Sequence, residues 1–337
     1  MHVFVTGATG FVGFHTVMAL LSAGHRVRLG VRNEAKMRAL YEPLGIGLTD
    51  FSVGEITDEE AIAAALEGVD AVVHTAAMVS LDASLEARMR YTNLRGTELV
   101  IGGAVARGIR SIVYVSSLAS LFDPSAECLN EDSPLATARG GYAKSKAECD
   151  QYVRDLIAGG AHVALTYPAG VIGPDDPAMS EGNQAIAYFY NKTFMHTSSG
   201  MQMIDVRELA RVHAGLLENN SRGFYLVSGH YMRYRELGQL FDQVTGKKLR
   251  KITMPRWLLR CVGNLVDFIN RFYTLDTPIT REAVTFATEW VYADDSKVRK
   301  ELAIEYRPLG DTLRDTVRWM AGSGHIDRRW IERIAQN

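Results

Sequence analysis

Two textures of apolar and polar positions alternate through the first half of the chain. Short runs rich in Val and Ile lie at 2–6, 26–31, 48–53, 70–75, 110–116 and 162–167. Most lack polar alternation, the mark of strands covered on both faces of a sheet. Between them, apolar residues recur with helical spacing at about 11–23, 34–41, 58–67, 81–107 and 142–158. Gly24 stands one residue past Ala23, where a C-cap glycine ends a helix. Asp58-Glu59-Glu60 places acids in the first turn of its helix, where the backbone dipole favours them. Strand–helix alternation over this length predicts an α/β domain on a doubly wound parallel sheet.

After Pro168 the rhythm changes. Gly173-Pro174-Asp175-Asp176-Pro177 is a turn-forming break, and helical patterns then dominate, with short strands such as 224–228. The expected layout is a main domain over 1–173, with 201–228 returning to it. Residues 174–200 and 229–337 would form a smaller, mostly helical substrate-binding lobe and the C-terminal helices. The stretch from Trp257 to Phe272 is the most apolar of the second half, but Arg260, Asp267 and Arg271 interrupt it. It falls short of the roughly 20 apolar residues a spanning helix needs. It predicts an amphipathic helix of the smaller lobe, with peripheral membrane contact as the second reading.

Composition narrows the classes further. At 337 residues the chain exceeds the usual single-core size, which suits a large domain carrying a smaller lobe. A net charge of -2 offers no overall basic field for nucleic acid and no overall polybasic character for a membrane surface. Three cysteines, Cys128, Cys149 and Cys261, are too few and too scattered for a disulfide framework or a zinc site. The nine histidines show no paired metal-ligand spacing, so no metal is expected. The chain opens on an apolar strand rather than a signal-peptide pattern, and a reducing, cytoplasmic setting is expected.

The first strand runs into Thr6-Gly7-Ala8-Thr9-Gly10-Phe11-Val12-Gly13 and then a helix. One glycine permits the tight turn, another lets backbone approach a pyrophosphate, and the last lets helix pack on strand. A ligand-free glycine corner would share the pattern, but its place on the first strand of a βαβ run points to a dinucleotide-binding Rossmann domain. An NAD site usually carries an acid at the end of the second strand for the ribose 2′-hydroxyl. Here Arg32 follows that strand and Lys36 lies one helical turn on. Cations there suit a 2′-phosphate, so NADP(H) is expected over NAD(H). Solvated helix-start residues would read the same way.

Reducing a carbonyl requires a hydride donor and a proton donor at the oxygen. A tyrosine, with an ordinary pKa near 10, serves near neutral pH only when its phenolate is stabilised. Lys146 lies four residues after Tyr142, on the same face of a helix starting near Gly141, where its ammonium provides that stabilisation. Val113-Tyr114-Val115-Ser116-Ser117 ends the fifth strand on the carboxyl edge, where ligands bind in doubly wound sheets. A hydroxyl there can donate to a substrate oxygen, or merely cap backbone groups.

The glycine turn, Gly54-Glu55-Ile56-Thr57-Asp58 and Tyr142-Ala143-Lys144-Ser145-Lys146 resemble the extended short-chain dehydrogenase/reductases. Tyr167 to Pro174 and Met203 to Ala210 extend the resemblance nearly end to end. The chain looks most like the dihydroflavonol 4-reductase-like branch. The resemblance implies Tyr142 as general acid/base, Lys146 on the nicotinamide ribose, and Ser117 rather than Ser116 at the substrate oxygen. It implies cofactor contacts from Gly7, Thr9, Gly10, Phe11, Val12 and Gly13. It adds Glu55 and Ile56 near the adenine, and Thr75, Ala76 and Ala77 beside the cofactor backbone. Pro168 and Val171 would pack on the nicotinamide, and Met78, Val79 and Ser80 would border the substrate. Asn93 resembles the family's bracing asparagine, although a structural asparagine explains it equally. A homodimer through the helices at 81–107 and 142–158 is also implied.

The resulting expectation is an NADPH-dependent reductase of an aldehyde or ketone, or the reverse alcohol dehydrogenase. The alternatives are a sugar-nucleotide epimerase, a 3β-hydroxysteroid dehydrogenase-like enzyme and a non-catalytic NADP(H) sensor. Leu118-Ala119 after Ser117 departs from the Asp-Glu usual in dehydratases, and Gln202-Met203-Ile204 stands where sugar-nucleotide enzymes tend to carry Arg and His. Sensors tend to lose the tyrosine–lysine pair, which is present here. Tyr188, Phe189, Tyr190, Phe194, Met195 and Trp257 suit an apolar or aromatic substrate, or equally the core of the second lobe.

Overall fold

A computed structural model describes residues 1–79, 83–137, 141–246, 248–269 and 281–330. The expected substrate-border residue Ser80 lies outside the described residues. Seven strands form the central sheet: β1 (His2–Thr6), β2 (Arg26–Val31), β3 (Phe51–Val53), β4 (Ala71–His74), β5 (Ser111–Val115), β7 (Val163–Pro168) and β11 (Gly223–Val227). Their order is β11-β7-β5-β4-β1-β2-β3, and each neighbouring pair is parallel. The order reverses at β1, so the carboxyl ends of β1 and β4 flank the crevice where ligands bind in such sheets.

Burial on both faces explains the near-continuous apolar runs. Val3 and Val5 of β1 face one core, with Val17 and Leu20 of α1 (Phe11–Ser22) and Leu209 and Val212 of α8 (Val206–Glu218). Phe4 points the other way, into a core with Ile62, Ile101, Cys149 and Val153. That second face is covered by α3 (Glu59–Ala65), α4 (Glu86–Thr97), α5 (Gly103–Ala106) and α6 (Gly141–Ala158), while α2 (Glu34–Tyr41) belongs to the first.

The helix expected over 81–107 runs, among the described residues, from a 3-10 turn at 83–85 through α4, a π-helical stretch at 98–102 and α5 without interruption. Its glycines let neighbours pack closely: a Cβ on Gly96 would lie 2.6 Å from Ile56, and one on Gly102 would lie 2.2 Å from the Tyr152 hydroxyl.

Smaller sheets make up the rest. Strands β8 (Gly170–Ile172), β10 (Gly200–Asp205) and β12 (His230–Arg233) form one, so residues 200–205 sit outside the central sheet, which the chain rejoins through α8 and β11. Strands β9 (Phe194–His196) and β13 (Lys251–Thr253) pair, as do β6 (Cys128–Leu129) and β14 (Tyr292–Ala293). A third core joins α7 (Glu181–Asn191), α9 (Tyr234–Thr245) and α13 (Leu309–Gly322), through Tyr190, Phe194, Phe241, Leu313 and Val317. Helices α10 (Arg256–Ile269), α11 (Arg281–Thr288) and α12 (Ser296–Glu301) complete the chain. No helix among the described residues is long and apolar enough to cross a membrane.

Candidate active site

The glycine turn is built by steric necessity. Gly7 has φ +70°, and a Cβ there would lie 2.6 Å from Thr75 Oγ1 and 2.8 Å from the Ala76 nitrogen. At Gly13 a Cβ would lie 2.1 Å from the Gly7 carbonyl oxygen, so only glycine lets α1 start against the turn. Gly10 is the N-cap of α1, and no side chain caps it, which keeps first-turn N–H groups available to an anion. At Gly10 a Cβ would meet only the Gly7 oxygen, at 3.3 Å. A small, concave, donor-rich corner of this kind fits a pyrophosphate. Thr9, Gly10 and Val12 are half-buried along its rim, while Phe11 is buried towards Gly173.

Hydrogen bonds lock that corner to the end of β4. Thr75 Oγ1 donates to the Thr6 carbonyl at 2.8 Å, and the Ala76 N–H donates to Thr6 Oγ1 at 3.3 Å. Ala77 and Met78 follow half-buried, and Val79 is exposed. Asn93 then fixes this segment: its Oδ1 accepts from the Met78 N–H at 2.7 Å, and its Nδ2 donates to the Met78 carbonyl at 3.0 Å. The same Nδ2 donates to Ser145 Oγ at 2.9 Å, tying the segment to α6. Asn93 is 3% exposed, so it acts here as a buried brace.

Helix α6 delivers Tyr142 and Lys146 one turn apart. Tyr142 is half-buried; Lys146 is buried, and its Nζ donates to the Val115 carbonyl at 3.1 Å. That bond seats the ammonium at the carboxyl end of β5, 6.0 Å from the centre of the Tyr142 ring and 5.5 Å from that of Tyr114. Burial lowers the Lys146 pKa, with Cys149 and Asp150 opposing that shift. Asp150, one further turn along α6, is fully buried; burial lifts its carboxyl to about 6, against the Ser116 and Ser120 hydroxyls, Lys146 and Arg154.

At the end of β5 the two serines part. Ser116 is buried and turned towards Ser120, whose Oγ lies 3.5 Å from its own. Ser117 is half-buried, and its Oγ accepts from the Ala119 N–H at 3.2 Å. The capping role is therefore real, yet an accepting hydroxyl keeps its proton to donate. Pro168 ends β7 beside this edge, and Val171 packs from β8 against the first core.

At the far end of the crevice, Arg32 and Lys36 are both exposed beyond β2. Glu55 follows β3, with its carboxylate 3.9 Å from Arg32; these side chains are 74% and 60% exposed for Arg32 and Glu55. Ile56 turns away to pack on Gly96. Phe189 packs on Phe194, and Phe189, Tyr190 and Phe194 each pack on Phe241, within the core of the second lobe. Trp257, by contrast, is 66% exposed.

Three further residues support the site. Tyr41 is buried and donates to the Ala8 carbonyl at 2.7 Å, bracing the glycine turn from 33 residues away in sequence. Thr6 links the turn to β4 through one hydroxyl, which also meets His74 Nδ1 at 2.6 Å. Asp150 was within reach of spacing alone, since 142, 146 and 150 share one helix face.

Comparison with known proteins now places the chain. The NAD dependent epimerase/dehydratase family matches residues 3–226. Sterol demethylase protein B of Methylococcus capsulatus is 26% identical over 333 residues, spanning 97% of this chain and 100% of that one. A putative dihydroflavonol 4-reductase of Synechocystis sp. is 26% identical over 333 residues, spanning 96% and 95% respectively. Among solved structures, gox2253 aligns with a TM-score of 0.80 at 26% identity, over 96% of this chain and 99% of that one. With the doubly wound sheet and the glycine turn inside the matched span, the chain belongs to the NAD dependent epimerase/dehydratase family, enzymes that use a nicotinamide cofactor on CH–OH or carbonyl groups.

Proposed function

We propose that this protein is an NADPH-dependent reductase of an aldehyde or ketone, running as an alcohol dehydrogenase in reverse. The observation that carries the reading is the buried Lys146 ammonium, 6.0 Å from the Tyr142 ring and held by the carbonyl of Val115, two residues before Ser117. A nicotinamide bound along the crevice supplies the hydride chemistry. Tyr142 moves the proton at the substrate oxygen, and the ammonium of Lys146 favours its phenolate form. The Ser117 hydroxyl donates to that oxygen as charge develops. Asn93 positions α6 against the 75–78 segment.

Arg32 and Lys36, exposed at the end of the crevice, support a 2′-phosphate and hence NADP(H). Phosphates rest on the turn formed by Gly7, Thr9, Gly10, Phe11, Val12 and Gly13. Glu55 with Ile56, Thr75 to Ala77, Pro168 and Val171 complete the cofactor's contacts. Met78, Val79 and Ser117 border a small apolar or aromatic substrate; the name of the sterol demethylase relative supports an apolar one. Gln202 argues against a sugar-nucleotide substrate, because it is buried and spent on the Ala293 backbone and the Trp290 indole. A homodimer through α4 and α6 and a reducing, cytoplasmic setting complete the reading, the latter supported by three free cysteines.

The test is turnover. Purified protein with NADPH is offered a panel of aldehydes, ketones and UDP-sugars while nicotinamide absorbance is followed. Oxidation of NADPH with a carbonyl is expected; no turnover with any carbonyl, together with tightly retained NAD, overturns the reading.

A further inference from the structure

The near-neutral net charge conceals a strongly one-sided segment. Between Gln243 and Val266 the chain carries six cations, Lys247, Lys248, Arg250, Lys251, Arg256 and Arg260, and no Asp or Glu. Lys251 is paired with Asp242, Arg260 with Glu289, and Arg256 Nε donates to Ser198 Oγ. Lys248 and Arg250 are exposed, with no carboxylate within 4.0 Å among the described residues.

Within this run, α10 exposes the wrong face for a simple surface helix. Leu259 and Gly263 are buried, while Trp257, Cys261 and Leu265 lie outward at i, i+4 and i+8. Trp257 is 66% exposed and Leu265 58%, and Ile252 of the preceding strand is 37% exposed. An outward row of Trp257, Cys261 and Leu265, preceded in the chain by exposed Lys248 and Arg250, is the pattern of an amphipathic helix lying in a lipid interface. Trp suits the headgroup level, and the cations suit anionic lipid. A second copy of this chain fits less well, since a two-fold contact through this face would set each cationic run against its equal.

We propose that the outer face of α10, with Lys248 and Arg250 ahead of it, docks this protein on an anionic lipid surface. The proposal does not depend on the reductase reading, and its readout is binding rather than turnover. The full-length protein is sedimented with phosphatidylcholine vesicles, with and without phosphatidylglycerol, at low and high salt. Binding to the anionic vesicles, weakened by salt, is expected. Lys248→Gln and Arg250→Gln each lower the partition coefficient about fivefold, the equivalent of about 1 kcal/mol per cation near the surface. Trp257→Ala, at a position open to solvent, lowers it by at least about fivefold while thermal stability and cofactor affinity hold. Failure of the unaltered protein to bind anionic vesicles overturns the proposal. So does binding that ignores all three substitutions, or a Trp257→Ala protein that changes oligomeric state in light scattering while vesicle binding stays the same.

Discussion

Lys146 is the residue on which the candidate chemistry turns, because its charge is kept in a dry place. Burial disfavours an ammonium, and the Val115 carbonyl and nearby Asp150 offset part of that cost. Tyr142 then gains a cation one helical turn away, in surroundings where water screens little. Tyr142→Phe is expected to leave cofactor affinity unchanged and to lower kcat at least about 100-fold, read by steady-state kinetics beside a cofactor titration. Asp150 carries a stability prediction. Its carboxyl is raised to about 6 in the fold, so the folded state holds the proton more tightly than the unfolded chain does. That contribution is complete below the unfolded value near 4 and is lost as pH rises through about 6. Asp150→Asn should therefore raise Tm near pH 8 and change it little near pH 4, by a difference on the order of 3 kcal/mol. Melting curves at the two pH values decide it.

Among the elements, α8 and α13 are held to the second sheet by a charge cluster rather than by apolar contact alone. Asp205 caps α8 by accepting from the Arg207 N–H at 2.8 Å, and its other oxygen accepts from Thr312 Oγ1 on α13 at 2.8 Å. Arg207 reaches Asp315, and Arg307 reaches Glu208. Burial raises the Asp205 pKa, but the Arg207 hydrogen bonds and charge and the Thr312 hydroxyl more than offset it, and the net shift is downward. Stability from this carboxylate is therefore full above the unfolded value near 4 and is lost as pH falls through the lower folded value. Asp205→Ala removes a partner from Arg207 and from Arg307, whose Nε lies 3.6 Å from Asp205, and should cost about 3 kcal/mol in denaturant unfolding at pH 7. The penalty should shrink on acidification. Wild-type stability at pH 7 in the variant would remove the cluster from the account.

For the whole molecule, the central question is what the outer faces of α4 and α6 do. Arg90 and Glu148 already bind the two helices to each other, at 38% and 30% side-chain exposure. Tyr91 stands 65% exposed beside them, a large ring of the kind that anchors interfaces. For a dimer through this face, Tyr91→Arg should yield a monomer in light scattering with unchanged thermal unfolding of the protomer. An unchanged mass would exclude the face.

The sequence by itself determined the doubly wound sheet, because strands buried on both sides must be apolar throughout and their spacing leaves room for crossover helices. It also located the glycine turn, since no other residue type fits at Gly7 and Gly13. The tyrosine–lysine pair was legible because four residues on a helix bring two side chains to one face. Tertiary structure alone decided what those features lean on. Tyr41 meets Ala8 and Asn93 meets Ser145 across long stretches of chain, and hydrogen bonds between distant segments leave no local period to read. The resemblance already favoured Ser117 over Ser116, and packing supplies the physical reason, by turning Ser116 inward towards Asp150. Packing also assigned Phe189, Tyr190 and Phe194 to a core, because apolarity states that a side chain leaves water and not what it meets when it does.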